Sequence, residues 1–349
     1  MNKEIIDEFN ALAKQIKAEY LNAQIEHDIK EMTMHEFRLR TVKKILGILK
    51  KIDFEITSSA DLKDIPGIGK GTNRRIDEIL KTGHLSEIEQ KYSAEKQKKI
   101  TGIQELTKVI GIGDAFAKLL VTEYKITDIN KLKAAHAKGK IQLSKNILLG
   151  LKYYGVSQGN IPRKEITQVE KFLIKTAHDI DPDLKVIICG SYRRGTKTSG
   201  DIDVLLYHPA IKVSKQFKHP SYLELFVDTL YDQGFIKDHL TDKNYKMKYM
   251  GFCKYKTNLV RRIDIRLIPY NSLYTAMLYF TGPMELNMAM RQRAKKRGMM
   301  LNEYGLYTET IDEGKKQIKI NSEADVFKKL DMKYLTPSER EKYNAGKGI

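Results

Sequence analysis

The chain has 349 residues, with 62 Lys and Arg against 44 Asp and Glu, so its formal net charge is +18. That length predicts two to four domains, and 41% hydrophobic residues supply enough apolar matter for real cores and exclude general disorder. No stretch reaches the ~18 consecutive apolar residues of a membrane span, and the opening MNKEIIDEF places acids where a signal peptide has a basic start.

From Asn2 to about Tyr92, apolar residues recur at helical spacing, as in Phe9, Leu12, Ile16 and again in Val42, Ile45, Leu46, Leu49. This predicts several short amphipathic helices in one compact domain. A second helical stretch runs from Ser93 to about Tyr154, broken at Gly111, Gly113 and Gly139. The composition then shifts through GVSQGNIP, residues 155–162, a domain boundary. One helix from Arg163 to His178 follows, and then the β-branched runs KVIIC (185–189), DIDVLLY (201–207) and RRIDIRLI (261–268), which predict a mixed or antiparallel sheet. The segment from Ser272 to Gly298 reads helical, and the tail reads as short strands and turns.

Two segments repeat. Leu62-Lys-Asp-Ile-Pro-Gly-Ile-Gly-Lys and Leu106-Thr-Lys-Val-Ile-Gly-Ile-Gly-Asp each set G-I-G between helical segments, Gly67/Gly69 in the first and Gly111/Gly113 in the second. Glycine permits the tight turn, and the turn leaves backbone N–H groups free at the next helix start, where the dipole favours an anion. Two copies in a basic chain read as paired helix-hairpin-helix clamps that grip phosphates without reading sequence. Backbone carbonyls of Lys63, Ile65 and Ile68, and of Thr107, Val109 and Ile112, are the candidates for a Na⁺ or K⁺ bridging to phosphate. The excess positive charge likewise points to nucleic acid ahead of an anionic membrane.

The richest chemistry lies between Gly190 and Asp264. Gly190-Ser-Tyr-Arg-Arg-Gly195 follows one strand, Ser199-Gly-Asp-Ile-Asp203 opens another, and Arg262-Ile-Asp264-Ile-Arg266 lies in a third. Side chains at i and i+2 of a strand share a face, so Asp201 and Asp203 project together, as do Arg262, Asp264 and Arg266. Three carboxylates brought together need cations to offset their burial. A pair of Mg²⁺ ions, with Mn²⁺ as a substitute, meets that need, and three Asp on adjacent strands suit two-metal phosphoryl chemistry. Ser191, Arg194, Ser199 and the backbone of Gly190 and Gly200 are placed to hold the phosphates of a nucleoside triphosphate. The two cysteines, Cys189 and Cys253, and the eight scattered histidines form no zinc or disulfide pattern.

With these residues in view, the chain resembles the X family of DNA polymerases over nearly its whole length: GSYRRG, SGDIDVLL, RRIDIRLIP, LYFTG and NEYGL stand in the family's order and spacing. The resemblance implies an α+β multidomain fold: a helical lyase-like domain with the first hairpin (1–92), a helical DNA-binding subdomain with the second (93–155), a nucleotidyltransferase palm with the sheet (156–270), and a small α/β nucleotide-selection subdomain (271–349). It implies that Asp201 and Asp203 bind both metals and Asp264 the catalytic one. It further implies that Tyr279, Phe280 and Gly282 border the incoming sugar, with Asn287 at the base edge. Arg291, Lys248 and Arg262 would contact DNA, as would Arg38, Lys70 and Arg75, while Arg266, Glu303 and Tyr304 would serve subdomain closure.

The implied activity is templated addition of deoxynucleoside triphosphates to a primer at gapped or nicked DNA carrying a 5′-phosphate, by a monomer in base excision repair, with a DNA ligase acting on the product. The alternatives are template-independent terminal transfer and a non-catalytic scaffold that binds gapped DNA. An intracellular, reducing location is expected, nucleus or cytoplasm undecided, with no membrane partner. The chain departs from the family pattern at Arg75, where the family carries the lysine that forms a Schiff base with an abasic sugar. A guanidinium stays protonated and is not such a nucleophile, so 5′-deoxyribose phosphate lyase activity is not expected at that residue, Lys70 on the same hairpin being the alternative nucleophile. Asn160 replaces an arginine directed at the triphosphate, and Pro283-Met284 alters the loop beside the incoming base.

Overall fold

The computed structural model describes residues 2–26, 28–88, 94–156, 160–242, 245–310 and 314–343. The expected break between the two helical stretches, at residues 92 and 93, and residues 157–159 of the GVSQGNIP segment lie outside the described residues. The chain forms two compact units, Met1–Lys152 and Tyr153–Tyr343.

The first unit contains α1 (Lys3–Glu26), α2 (Ile29–Leu49), α3 (Lys70–Thr82), α4 (Ala94–Leu106), α5 (Asp114–Thr122), α6 (Ile129–Ala137) and α7 (Lys145–Lys152). Instead of several short helices, it opens with two long ones, because no Gly or Pro interrupts the sequence from Lys3 to Glu26. Asp28 separates them, its carboxylate accepting the Glu31 N–H at 3.0 Å and capping α2. Phe9, Leu12 and Ile16 of α1 pack on Val42, Ile45, Leu46 and Leu49 of α2, and Ile76 and Ile79 of α3 close the same core. Each such side chain contributes about 1.5–3 kcal/mol on full burial. None of the described helices is long and apolar enough to cross a membrane.

The second unit runs through β1 (Ile161–Pro162), α8 (Arg163–Ile180), β2 (Lys185–Ile188), α9 (Gly190–Arg193), β3 (Thr198–Ser199), β4 (Ile202–Tyr207), α10 (Tyr222–Asp232), β5 (Ile236–His239), β6 (Lys248–Cys253) and β7 (Arg261–Leu267). It continues with α11 (Leu273–Thr281), α12 (Met284–Lys296), β8 (Met299–Asn302), β9 (Gly305–Thr310), β10 (Gly314–Ile318), α13 (Glu323–Lys329) and α14 (Pro337–Glu341). The main sheet is mixed, in the order β2-β4-β7-β6-β5, with β4 and β7 parallel and the other pairs antiparallel. A second sheet, β10-β9-β8, packs with α12 and α13 around Leu286, Met290, Leu306 and Phe327.

Alternation decides which face of the main sheet does what. Ile202, Val204 and Leu206 of β4, and Ile263, Ile265 and Leu267 of β7, meet Val169 and Leu173 of α8 and Phe226 and Leu230 of α10. The opposite face therefore carries Asp203, Arg262, Asp264 and Arg266. Arg261, on the helix side, forms two bonds of 2.9 and 2.8 Å to the Glu165 carboxylate of α8, fixing β7 against that helix. Cys189 and Cys253 are buried free thiols, and burial pushes Cys189 up to about 12.

Several elements differ from the sequence expectation. The helical stretch 272–298 is two helices, parted where Gly282 takes φ 67° ahead of Pro283. Strands β5 and β6 carry no alternating pattern: β5 reads IKDH, and Gly251 interrupts β6. The tail adds α13 and α14, whose ends are set by Ser322, which accepts the Asp325 N–H, and by the Thr336/Glu339 capping box.

Candidate active site and nucleic-acid interface

The parallel register sets Asp203 directly opposite Asp264. Asp201, at the bend before β4, is exposed, and Ile202 between the two acids is fully buried. Gly190, at φ +56°, covers Asp203 so closely that an added Cβ would sit 2.3 Å from its Oδ2. Burial first, and then the Asp201 and Asp264 charges, push Asp203 up to about 7, against the pull of Arg194 and Arg266. Asp201 is also raised, by desolvation and by Asp264, with Arg262 opposing. Arg262 donates to Asp264 Oδ1 at 2.7 Å. These donors are of the kind a hard divalent cation takes: Asp203 faces Asp264, Asp201 is close enough to repel Asp203, two of the three are held above their ordinary range, and one is in a direct ion pair.

This makes the metal-free protein pH-sensitive in a defined direction. A carboxyl raised from 3.8 to about 7 binds its proton more tightly when folded, so its contribution is complete at low pH and is lost as pH rises through about 7. In EDTA, the melting temperature of the wild type should fall between pH 5 and pH 8. Asp203→Asn should flatten that slope and melt higher at pH 8, each recovered kcal/mol being worth about 2–4 °C. Parallel slopes for the two proteins would show that Asp203 is not the group responsible.

Among the described residues, the group whose three ligand-type side chains lie within reach of one ion is a different one, Asp181, Asp183 and His208, and the ligand atoms of Asp201, Asp203 and Asp264 stand farther apart. The hydrogen bonds of the Asp181 group argue against a metal. His208 Nδ1 accepts the Ala210 N–H at 3.1 Å, which leaves the neutral ring's proton on Nε2, facing Asp181 at 3.4 Å. The Asp181 carboxylate already accepts from the Tyr222 hydroxyl and from the Asp183 N–H, and these bonds hold it below its ordinary range.

Around the carboxylates, Ser191 lies on α9, Ser199 is buried at the end of β3 and Gly200 is exposed beside Asp201. Arg194 follows α9; its Nη1 donates to the Thr281 carbonyl at 2.6 Å and its Nε pairs with Glu341. Thr281 precedes Gly282 and ends the helix that carries Tyr279 and Phe280. The Asn287 amide donates to the Tyr279 carbonyl at 2.7 Å. Arg266 lies over the Phe280 ring at 5.5 Å, and Arg291 lies over the Tyr279 ring at 4.8 Å while reaching Glu303 at 3.4 Å. The backbone carbonyls of Glu303 and Tyr304 accept from Thr275 and Ser272. Lys248 is exposed on β6, opposite Arg266.

In the first unit the two G-I-G turns have the same backbone. Gly67 and Gly111 take φ +96° and +93°, and Gly69 and Gly113 are the extended N-caps of α3 and α5, neither helix having a side-chain cap. The two helix starts differ in charge: Lys70 begins α3, whereas Asp114 begins α5 and is held by Lys17 at 2.7 Å. Of the six candidate cation carbonyls, Ile65 accepts the Ile68 N–H and Val109 accepts the Ile112 N–H, while Lys63 is exposed and Thr107 half-buried. Arg75 is bound at two points by the Glu87 carboxylate, and Arg38 donates to Glu19 at 2.8 Å.

Sequence reasoning missed the partners of these arginines. Glu87, Glu341 and Glu323 carry no periodic signature. Glu323 binds Arg193 of the GSYRRG loop at 3.0 and 2.6 Å and Arg340 at 2.7 Å. A weak signal was available at Glu323 and Glu341, each of which lies beside a capping motif.

Comparison with known proteins adds independent findings. The chain matches the DNA polymerase beta palm over residues 160–270, the DNA polymerase beta thumb over 276–341 and a helix-hairpin-helix domain over 1–85. It is 29% identical over 313 residues to DNA polymerase lambda of Rattus norvegicus, covering 85% of this chain and 51% of the relative. DNA polymerase lambda of Arabidopsis thaliana aligns at the same identity, covering 85% and 56%. The DNA nucleotidylexotransferase of Gallus gallus aligns at 24% over 322 residues, covering 84% and 61%. The chain thus spans about half to three-fifths of the length of these relatives.

Proposed function

The chain belongs to the X family of DNA polymerases and resembles DNA polymerase beta, and on that premise we propose that it is a template-directed DNA polymerase that fills short gaps. The observation that carries this reading is the register of Asp203 against Asp264, beside Asp201, on the face of the sheet opposite α8 and α10. Asp201 and Asp203 would hold both ions of a Mg²⁺ pair, and Asp264 the one beside the primer end. When bound, that pair neutralises the triphosphate and lowers the pKa of the primer 3′-hydroxyl.

The remaining roles belong to the chain's own side chains. Arg262 orients Asp264 through its 2.7 Å bond. The Ser191 and Ser199 hydroxyls and the Arg194 guanidinium take triphosphate oxygens, and the backbone of Gly190 and Gly200 allows their close approach. Tyr279, Phe280 and Gly282 border the sugar, where a ribose 2′-hydroxyl would crowd them. Arg291 reaches the template strand, and the two hairpins grip the duplex backbone through the open starts of α3 and α5. The setting is base excision repair, with a ligase sealing the product. No lyase chemistry is assigned to Arg75, because its guanidinium is held charged: the Glu87 hydrogen bonds raise its pKa further.

Primer extension on a one-nucleotide gap, with and without a 5′-phosphate and beside an unpaired single strand, tests the reading. Templated filling that improves with the 5′-phosphate is the expected result, and borohydride reduction of an abasic substrate should trap no adduct at Arg75. Untemplated addition to the single strand would replace the reading with terminal transfer. Gap binding without any product would replace it with a non-catalytic scaffold.

A further inference from the structure

Arg194 is held from two sides. Its Nη1 donates to the Thr281 carbonyl and its Nε pairs with Glu341, the last residue of α14, while the arginine side chain is only 16% exposed and the glutamate 44%. Glu341 is not a wandering surface acid. Its neighbour Arg340 is fully buried, donates to Glu323 at 2.7 Å and to the Leu335 carbonyl at 3.0 Å, and so anchors the end of the helix. The Thr336/Glu339 capping box anchors the start. The five-residue helix therefore presents one carboxylate to one guanidinium, and that guanidinium belongs to the GSYRRG loop beside Asp203.

A carboxylate and a phosphate compete for the same fork of guanidinium donors. A carboxylate left beside a triphosphate is also repelled by several negative charges. We propose that Glu341 is an internal counter-anion of Arg194 which the triphosphate displaces, so that it sets how tightly the site holds the nucleotide. This rests on the nucleotide-site reading above and adds to it a residue that sets nucleotide affinity. Because Glu341 is half exposed, water receives the displaced carboxylate. Because Arg194 also binds the carbonyl beside Gly282, the exchange is felt at the segment that borders the sugar.

The test compares wild type with Glu341→Gln and Glu341→Ala by calorimetric titration of tripolyphosphate, inorganic phosphate and a deoxynucleoside triphosphate with Mg²⁺, and by gap-filling kinetics. Removing the charge should tighten tripolyphosphate binding and lower KM for the nucleotide by ~5–10-fold, with kcat within about twofold. Inorganic phosphate binding should tighten by no more than tripolyphosphate binding, because the cost of displacing Glu341 is common to both anions and the residual repulsion is larger for the more highly charged one. Equal or weaker tripolyphosphate binding in both variants, or a fall in kcat with KM unchanged, overturns the proposal and makes Glu341 a support for Arg194. A wild-type protein that binds neither tripolyphosphate nor the nucleotide overturns the nucleotide-site reading itself. The two failures are thereby distinguished.

Discussion

Replacing Asp264 with Ala should reduce gap filling by at least ~10³-fold in kcat, with affinity for gapped DNA changed by no more than a few-fold. Three decades of rate correspond to about 4 kcal/mol of transition-state stabilisation, within the range that correctly held metal charge supplies to phosphoryl transfer. Asp264 is well suited to the comparison because it lies on a rigid central strand, between Ile263 and Ile265, both fully buried. Its removal also leaves Arg262 without its 2.7 Å acceptor, and Arg262 Nε already has no partner among the described residues. Asp264→Asn, which keeps the shape, separates that structural loss from the loss of charge: both variants should be inactive, but only the alanine variant should lose stability. The internal control is Asp181→Asn, which removes an acid from the other cluster of metal-type side chains and should leave extension and its Mg²⁺ dependence unchanged. Retained extension in both Asp264 variants would remove the carboxylate triad from the reaction.

The second large effect is expected at Glu323, which is 6% exposed and lies between Arg193 and Arg340. Burial alone would raise this carboxyl, but the bonds to the two arginines outweigh it and hold it below the ordinary carboxylate range. Removing one member of such a buried group costs about 3–5 kcal/mol, because the remaining charges are left uncompensated. Glu323→Ala strands two guanidiniums, one of them fully buried, and should lower the melting temperature by roughly 10 °C. Arg340→Met leaves the Arg193–Glu323 pair intact and fills the space with a chain of similar reach, so its loss should be distinctly smaller. Thermal denaturation of the two variants side by side checks the order. If Arg340→Met proves as damaging as Glu323→Ala, the role of the triad is packing rather than charge.

The sequence made the chemistry legible where backbone geometry restricts residue choice. The two G-I-G turns could be read because φ near +95° at Gly67 and Gly111 suits glycine best. The acids of β4 and β7 could be read because period-two alternation sends Ile202 and Ile263 one way and Asp203 and Asp264 the other. The same rule failed at β5, where IKDH shows no alternation. The helical period that located α1 gave no sign of its length, which follows from the absence of a breaker before Glu26. Ion-pair partners were the least legible feature. Arg193 and Glu323 meet across most of the unit, and nothing in the local pattern of either residue names the other. Arg75 was recognised as a departure from the family pattern, but the acid that now occupies it, Glu87, was not.

The parallel pairing of β4 with β7 also bears on when the site comes into being. Two parallel neighbours cannot be joined by a tight turn, and here the intervening chain carries α10, β5 and β6. Asp203 and Asp264, about sixty residues apart, therefore meet only after a long loop has closed, a slow class of event in folding. Their mutual repulsion arises only when that strand pairs, so a chain emerging from the ribosome has no facing carboxylates until β7 is in register. Under the proposed function, capture of the metal would therefore report that β4 and β7 have paired.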